Sequence, residues 1–372
     1  MAKFAPDSSC FDTVSTPALV VDVGAMNRNI TVMARQAASK GVALRPHAKT
    51  HKSVDIARRQ LAAGAAGIAC ATVSEIEHLA GAGIRDLLLT APIASADKAS
   101  RLAAVAAAGT ALSVVVDHED QLPLLSNALK AHGGVTVPVL IDTNVGQNRT
   151  GINDLQIGVA LAQKVHATPY LTLKGIQGFA GQAQHIASEP DRRKSAAAVQ
   201  DHLQRFRQAV EAVGLSVDCI SGSGTGTSLY DYTGPYTELQ VGSYIFMDAD
   251  YQSINGAKEE GLGFETSLYV LATVVSTSIA GQVTVDAGVK ALAFNGPAPK
   301  IILGAPAGTT YRFAGDEHGI LQLPEGADQP KLGTKVLLQT THCDPSVNLY
   351  SQYQAYLPDG SLETWPIGGR YV

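Results

Sequence analysis

The chain has 372 residues, 45% of them hydrophobic and 16% charged, with a formal net charge of −5. That composition excludes a disordered chain and offers no basic surface to attract nucleic acid or an anionic membrane. The length predicts two domains, or one large domain with an appendage.

From the N-terminus, MAKFAPDSSCFDTVSTPALVVD has no basic stretch followed by an apolar one. No apolar run approaches the roughly 18 residues of a membrane span, so a cytoplasmic protein is expected. PALVVDV (17–23) reads as a strand that pairs with a β-rich C-terminal part, which would make that domain discontinuous. In residues 26–40, Met26, Ile30, Met33 and Ala37 recur at helical spacing, and Gly41 ends the pattern. Eight short β-type runs follow: VALRPHA, GIACAT, DLLLTA, LSVVVD, VTVPVLID, LKGIQGFAG, VDCISGSG and LQVGSYIFM. Most are separated by helical patterns such as SVDIARRQLAAG, and several of these end in glycine. The alternation predicts a parallel α/β architecture. The count of eight, with no early GxGxxG turn, favours a (β/α)8 barrel over an open doubly wound sheet. From about residue 260 helical periodicity gives way to β-type runs with hairpin signals at SIAGQ and PDGS. GDEHG reads as another hairpin turn. The expected division is a barrel over 26–258 and an all-β domain made of 1–25 plus 259–372. Cys10, Cys70, Cys219 and Cys343 are widely spaced with no CxxC pair and read as reduced thiols.

Reactive groups of such a barrel sit at the C-terminal ends of its strands. The first strand ends in LRPHAKTHKS (44–53). Strand parity places Arg45, His47, Lys49 and His51 on one face, towards the barrel mouth. Lys52 then points away, and Ser53 caps the next helix. Desolvation and neighbouring cations lower a lysine pKa, which makes Lys49 a candidate nucleophile for carbonyls, against a plain solvated rim. SGSGTGTS (221–228) follows the seventh run and VGSY (241–244) belongs to the eighth; both present backbone N–H groups suited to a phosphate, or else form ordinary turns. Arg149 in GQNRTG follows the fifth run and suits a phenolate or phosphate oxygen, or a surface ion pair. In THCDPSVNLY an extended backbone would aim His342 and Asp344 the same way and Cys343 away. The pair suits a divalent metal, or the segment is a capped turn before Pro345. His185 follows the sixth run as a candidate base or a structural histidine.

A lysine after strand one, a glycine-rich loop after strand seven and a C-terminal β domain together resemble the alanine-racemase-like, fold-type III pyridoxal-phosphate enzymes. RPHAKTHK, GSGTGT, TELQVGSYIFMD, DAGVK and HCDP resemble the branch that holds D-threonine aldolase, 3-hydroxy-D-aspartate aldolase and D-serine dehydratase. The resemblance runs from about residue 15 to the C-terminus. It implies that Lys49 carries pyridoxal phosphate, with His47 and Gln177 as further contacts. It implies Ser223, Gly224, Thr225, Gly242, Ser243 and Tyr244 around the phosphate, and Arg149 at the phenolic oxygen. His342 and Asp344 would bind Mn, Mg or Co, with Zn a further option, and His185 would act as base beside the metal. The implied protein is a homodimer that cleaves a 3-hydroxy-D-amino acid to glycine and an aldehyde. The alternatives are a metal-dependent dehydratase releasing ammonia and a keto acid, a non-catalytic cofactor carrier, and a cofactor-free Schiff-base aldolase. The aldolases resemble this chain in His-x-Asp, whereas the dehydratases tend to His-x-Cys. Phe179-Ala180 departs from the Tyr-His pair frequent in D-threonine aldolases, which brings 3-hydroxy-D-aspartate forward as a substrate.

Overall fold

The computed structural model describes residue 6 and residues 8–254 and 263–370; the expected domain boundary at 258/259 lies outside them. The chain divides into two compact units, Met33–Gly242 with Gly368–Val372, and Met1–Val32 with Ser243–Ile367. The first helix, α1 (Val23–Ser39), is shared between them.

After β1 (Ala18–Asp22), which belongs to the second unit, the barrel unit follows a strict alternation. Its first half is β2 (Ala43–Leu44), α2 (Val54–Ala62), β3 (Ile68–Cys70), α3 (Val73–Gly81), β4 (Asp86–Leu89), α4 (Ala96–Ala107), β5 (Ala111–Val116) and α5 (Gln121–Ala131). Then come β6 (Val137–Asp142), α6 (Leu155–Ala167), β7 (Leu171–Gly178), α7 (Glu189–Glu211), β8 (Cys219–Gly222), α8 (Ser228–Asp231) and β9 (Glu238–Leu239). Helices start where a side chain satisfies orphan N–H groups: Thr72 Oγ1 accepts from Glu75 N at 3.2 Å, and Asp154 Oδ1 from Gln156 N at 2.8 Å. The eight parallel strands lie in the order β2-β9-β8-β7-β6-β5-β4-β3. The two ends of that order meet through a single bridge, His47 to Ala69, flanked by Ala66 N to Leu44 O (2.8 Å) and Ala69 N to Pro46 O (2.9 Å). The barrel seam therefore falls on the RPHAKTH segment. Of the eighth expected run only Leu239 is strand, as the end of β9; Ser243–Ile245 is a 3₁₀ turn whose Ser243 carbonyl accepts from Phe246 N and Met247 N.

The barrel interior is layered, because strand residues two apart share a face. Leu88, Val115, Leu140 and Cys219 pack as an apolar layer. Two residues earlier on β4 is Asp86, which binds Arg45. Two residues later on β4, β6 and β8 come Thr90, Asp142 and Ser221, all polar and on the side where the strands end.

The second unit is a sheet in the order β13-β14-β11-β10-β1-β16-β17. Its strands are β1, β10 (Leu268–Ser276), β11 (Gln282–Val285), β12 (Ile301–Leu303), β13 (Thr310–Phe313), β14 (Gly319–Gln322), β15 (Lys335–Gln339), β16 (Gln352–Tyr356) and β17 (Leu362–Pro366). β15 joins it by pairing with β10 and β12. β1 pairs antiparallel with β10 and parallel with β16, so the N-terminal strand belongs with the C-terminal β region. The SIAGQ, GDEHG and PDGS segments connect β10 to β11, β13 to β14 and β16 to β17 as hairpins. Helical structure persists in this unit as α9 (Ala249–Ile254) and α10 (Cys343–Asn348), the latter where strand-like backbone is expected. Cys10, Cys70, Cys219 and Cys343 form no disulfide. Among the described residues no helix is long and apolar enough to cross a membrane.

Candidate active site

A cavity of about 320 Å³ opens where the barrel strands end, and His47, Lys49, Arg149 and Gln177 all line it. Beyond β2 the backbone stays extended only as far as His47 (φ −90°, ψ 111°); Ala48–Thr50 then form a 3₁₀ turn. His47 Nδ1 accepts from Lys49 N at 3.3 Å, so the ring proton is on Nε2, 3.0 Å from Thr90 Oγ1, which donates on to Cys70 O. Lys49 thus reaches the cavity from a turn, and strand parity ends two residues before it. Two expectations are corrected accordingly. Arg45 does not stand beside Lys49: its guanidinium is committed to Glu238 (2.8 Å) and Asp86 (2.6 Å) in the barrel interior. Ser53 occupies the N-cap position of α2 with extended backbone, but its hydroxyl makes no capping bond.

Gln177 is fully committed within the protein. Its Nε2 donates to Thr90 O (2.9 Å) and Asp142 Oδ1 (3.0 Å), and its Oε1 accepts from Gln240 Nε2. Gln240 also donates to Ser221 Oγ, which donates to Glu238 Oε1 at 2.7 Å. The cavity floor is therefore wired through glutamines to Arg45. Thr150 Oγ1 donates to Asp142 Oδ2 at 2.8 Å, yet burial outweighs these bonds and pushes the Asp142 carboxyl up to about 6. The folded state thus keeps this proton after the unfolded chain has lost it. Stability falls as pH rises from about 4 to 6 and levels off above. Asp142→Asn removes that slope, so urea melts should show the variant gaining roughly 3 kcal/mol on wild type between pH 4 and pH 7.

Arg149 sits in a loop that its own polar groups build. Asn144 Oδ1 accepts from Gly146 N (3.0 Å) and Asn148 N (3.1 Å), and Gly151 N donates to Asp117 Oδ2 at 3.0 Å. The guanidinium lies 5.8 Å from the centre of the Phe179 ring, a cation–π contact that fixes its direction.

Ser223, Gly224 and Thr225 follow β8 and are buried, Ser223 with φ +68°. The loop packs against Gln184, whose Oε1 accepts from Gly226 N (2.9 Å) and Thr227 N (3.3 Å). A Cβ at Gly224 would meet that side chain at 2.5 Å, and one at Gly226 would strike the Gln184 backbone. Packing alone thus accounts for two of the glycines, and two N–H groups of the expected cradle are already taken. Gly242 lies against Thr50, where a Cβ would strike Oγ1. Thr50 Oγ1 is buried and has no hydrogen-bond partner among the described residues, a donor for which an incoming anion is a fitting acceptor.

Ser243 and Tyr244 fall in the second unit, as do His342 and Asp344. His342 is extended (φ −136°, ψ 122°) and occupies the N-cap position of α10 without a side-chain capping bond, so Asp344 lies in the first helical turn; the expected all-extended spacing does not occur. Cys343 does not turn away: its Sγ is 3.4 Å from Asp344 Oδ1, and its N–H donates to Asp248 Oδ2 at 2.8 Å. Burial raises both the Cys343 thiol and the Asp248 carboxyl. The Asn295 carboxamide engages His342 Nδ1 at 2.9 Å and so fixes the imidazole plane. No group of three or more His, Cys, Asp or Glu gathers as a metal cage among the described residues.

His185 is exposed between the Gly181–Ala183 turn and α7, and it is not among the residues lining the cavity. Sequence reasoning missed Thr90, Thr150 and Gln240. Thr90 and Gln240 directly follow a strand end, and Thr150 is the neighbour of Arg149; those places are their signal.

A cavity at the C-terminal end of a (β/α)8 barrel, with a lysine beyond the first strand and a separate β unit, defines an alanine-racemase-like protein. The family model "Alanine racemase, N-terminal domain" matches residues 21–250, and "Putative serine dehydratase domain" matches 267–356. A D-threonine aldolase from Arthrobacter sp is 38% identical over 96% of this chain and 93% of its own. A 3-hydroxy-D-aspartate aldolase from Paracoccus denitrificans is 35% identical over 96% and 92%. The crystal structure of D-threonine aldolase from Filomicrobium marinum superposes with a TM-score of 0.91 at 36% identity, covering 96% of each chain. The chain belongs to the alanine-racemase-like family of pyridoxal-phosphate enzymes that includes D-threonine aldolase, 3-hydroxy-D-aspartate aldolase and D-serine dehydratase. With its aldolase relatives it is a carbon–carbon lyase.

Proposed function

We propose that this chain cleaves 3-hydroxy-D-amino acids to glycine and an aldehyde, using pyridoxal phosphate and a divalent metal. The observation that carries the reading is Lys49 in one cavity with His47, Arg149 and Gln177. Pyridoxal phosphate, when bound, supplies an electron sink for the carbanion left at Cα. In this reading the Lys49 amine would hold the cofactor through its carbonyl carbon. Arg149, braced on Phe179, faces the phenolic oxygen. Ser223, Gly224, Thr225, Gly242, Ser243 and Tyr244 receive the phosphate, and the unbonded Thr50 hydroxyl fits that role too. Gln177 contributes by shape, since both its amide hydrogens are already donated.

His342 and Asp344 offer an imidazole and a carboxylate, a donor pair that fits Mn, Mg or Co and leaves other positions to water or substrate. The metal supplies Lewis acidity at the substrate β-hydroxyl. His185 would be the base for the β-hydroxyl proton; it lies outside the lining of the Lys49 cavity, and the reading does not rest on this role. The enzyme is read as a cytoplasmic homodimer; cysteines that form no disulfide suit a reducing compartment.

The test is a panel of D-threonine and 3-hydroxy-D-aspartate isomers, with product identification before and after dialysis against a chelator. Glycine with acetaldehyde or glyoxylate is expected, lost on chelation and restored by Mn. Ammonia with a keto acid would make the chain a dehydratase instead, and activity unchanged by chelation would remove the metal from the mechanism.

A further inference from the structure

The barrel is weakest where Lys49 sits. β2 contributes two strand residues, and the segment from Leu44 to His47 meets β3 through the His47–Ala69 bridge and two flanking backbone hydrogen bonds rather than a continuous ladder. Yet the turn that follows must hold one amine in place. Lys52, three residues on, is 7% exposed with a left-handed backbone (φ +50°), a strained conformation for a lysine. Its N–H donates to Ala48 O at 2.7 Å, which closes the turn around Lys49. Its ammonium is paired with Glu75, itself 2% exposed on α3. The other oxygen of Glu75 accepts from Ala71 N at 2.7 Å, and Ala71 lines the cavity just past β3. One carboxylate therefore ties the Lys49 turn to the end of the next strand, across the seam. The C-terminal tail completes the arrangement: Gly368 N donates to Lys52 O at 2.8 Å, and Lys52 Nζ donates to Gly369 O at 3.3 Å. A Cβ at Gly368 would strike the His78 ring, so the tail lies close on α3 as well. A buried ion pair is a poor source of net stability, but it fixes geometry, because either charge left alone is costly.

We propose that Lys52, Glu75 and the tail at Gly368–Gly369 form a clamp that positions the Lys49 turn. The inference rests on Lys49 being the cofactor-holding amine, and its test separates the two. Hydrogen exchange is measured on cofactor-free protein, and pyridoxal phosphate affinity by equilibrium dialysis. Glu75→Gln, and removal of residues 368–372, which deletes the tail contacts without adding a clash, should speed exchange of the 48–53 amides by about tenfold or more while the amides of β5 and β6 stay unchanged. The same variants should bind the cofactor about tenfold more weakly, and Lys52→Arg, which keeps the cation, should restore most of what Lys52→Met loses. Should Glu75→Gln not fold, the shortened chain carries the same comparison. Unchanged exchange at 48–53 in folded variants overturns the clamp, as does loosening spread evenly over the barrel. If wild type itself retains no cofactor, the functional reading fails while the exchange result still decides the clamp.

Discussion

Alanine at Lys49 is expected to give a folded protein that stays colourless with pyridoxal phosphate and releases glycine about 10³-fold more slowly or worse. The expectation stands on which lysine faces the cavity. Lys49 and Lys52 lie three residues apart in the same basic stretch, and the structure separates them by where each side chain goes. The Lys52 ammonium is paired with Glu75 in the protein interior, whereas Lys49 lines the cavity. Removing the Lys49 side chain leaves the turn's backbone bonds to Ala48 O intact, so the change in unfolding free energy should stay within about 1 kcal/mol. Loss of the chromophore without loss of fold is the signature of an amine that holds the cofactor. Absorbance after gel filtration, a urea melt and a glycine assay together check it. A variant that stays yellow would move the attachment to another lysine and sink the mechanism. A colourless but active variant would revive a cofactor-free reaction.

The eight barrel strands were legible because each is a short, largely buried run set off by helical periodicity, a strong local signal. What stayed hidden was set by distant partners. The 3₁₀ turn at Ala48–Thr50 breaks strand parity in a segment that reads as continuous strand, and Glu75 and the C-terminal tail tie it down from 23 and 317 residues away. α10 begins at Cys343 because Asp248, 95 residues earlier, accepts from its N–H. Gln177, Gln240 and Asp142 form one network only because β7, β9 and β6 bring their ends together around the cavity. Local pattern therefore located Lys49 and Arg149, while the orientation of the groups around them is a property of the closed barrel.

The second large effect belongs to Arg45, which sequence parity places beside Lys49 and the structure places in the barrel interior. Arg45→Ala is expected to destabilise the protein by about 3–5 kcal/mol while leaving cofactor attachment at Lys49 possible in the folded fraction. The guanidinium is 3% exposed and faces two carboxylates, Glu238 and Asp86. The Asp86 side chain is 48% exposed, so water can take over its solvation. Glu238 is buried, and without Arg45 the Ser221 hydroxyl is left as its side-chain donor. The cost should therefore come from Glu238, and Arg45→Met with Glu238→Gln should recover most of it by removing the stranded charge. Gly67 provides an independent check. A Cβ there would strike the Arg45 guanidinium and the Asp86 carbonyl, so Gly67→Ala should destabilise through the same group. If both act on one network, Gly67→Ala adds little once Arg45 is alanine, a coupling that a double-mutant cycle in urea reads directly. Additive losses would mean that Gly67 packs for some other reason and that Arg45 does not organise the interior of the barrel.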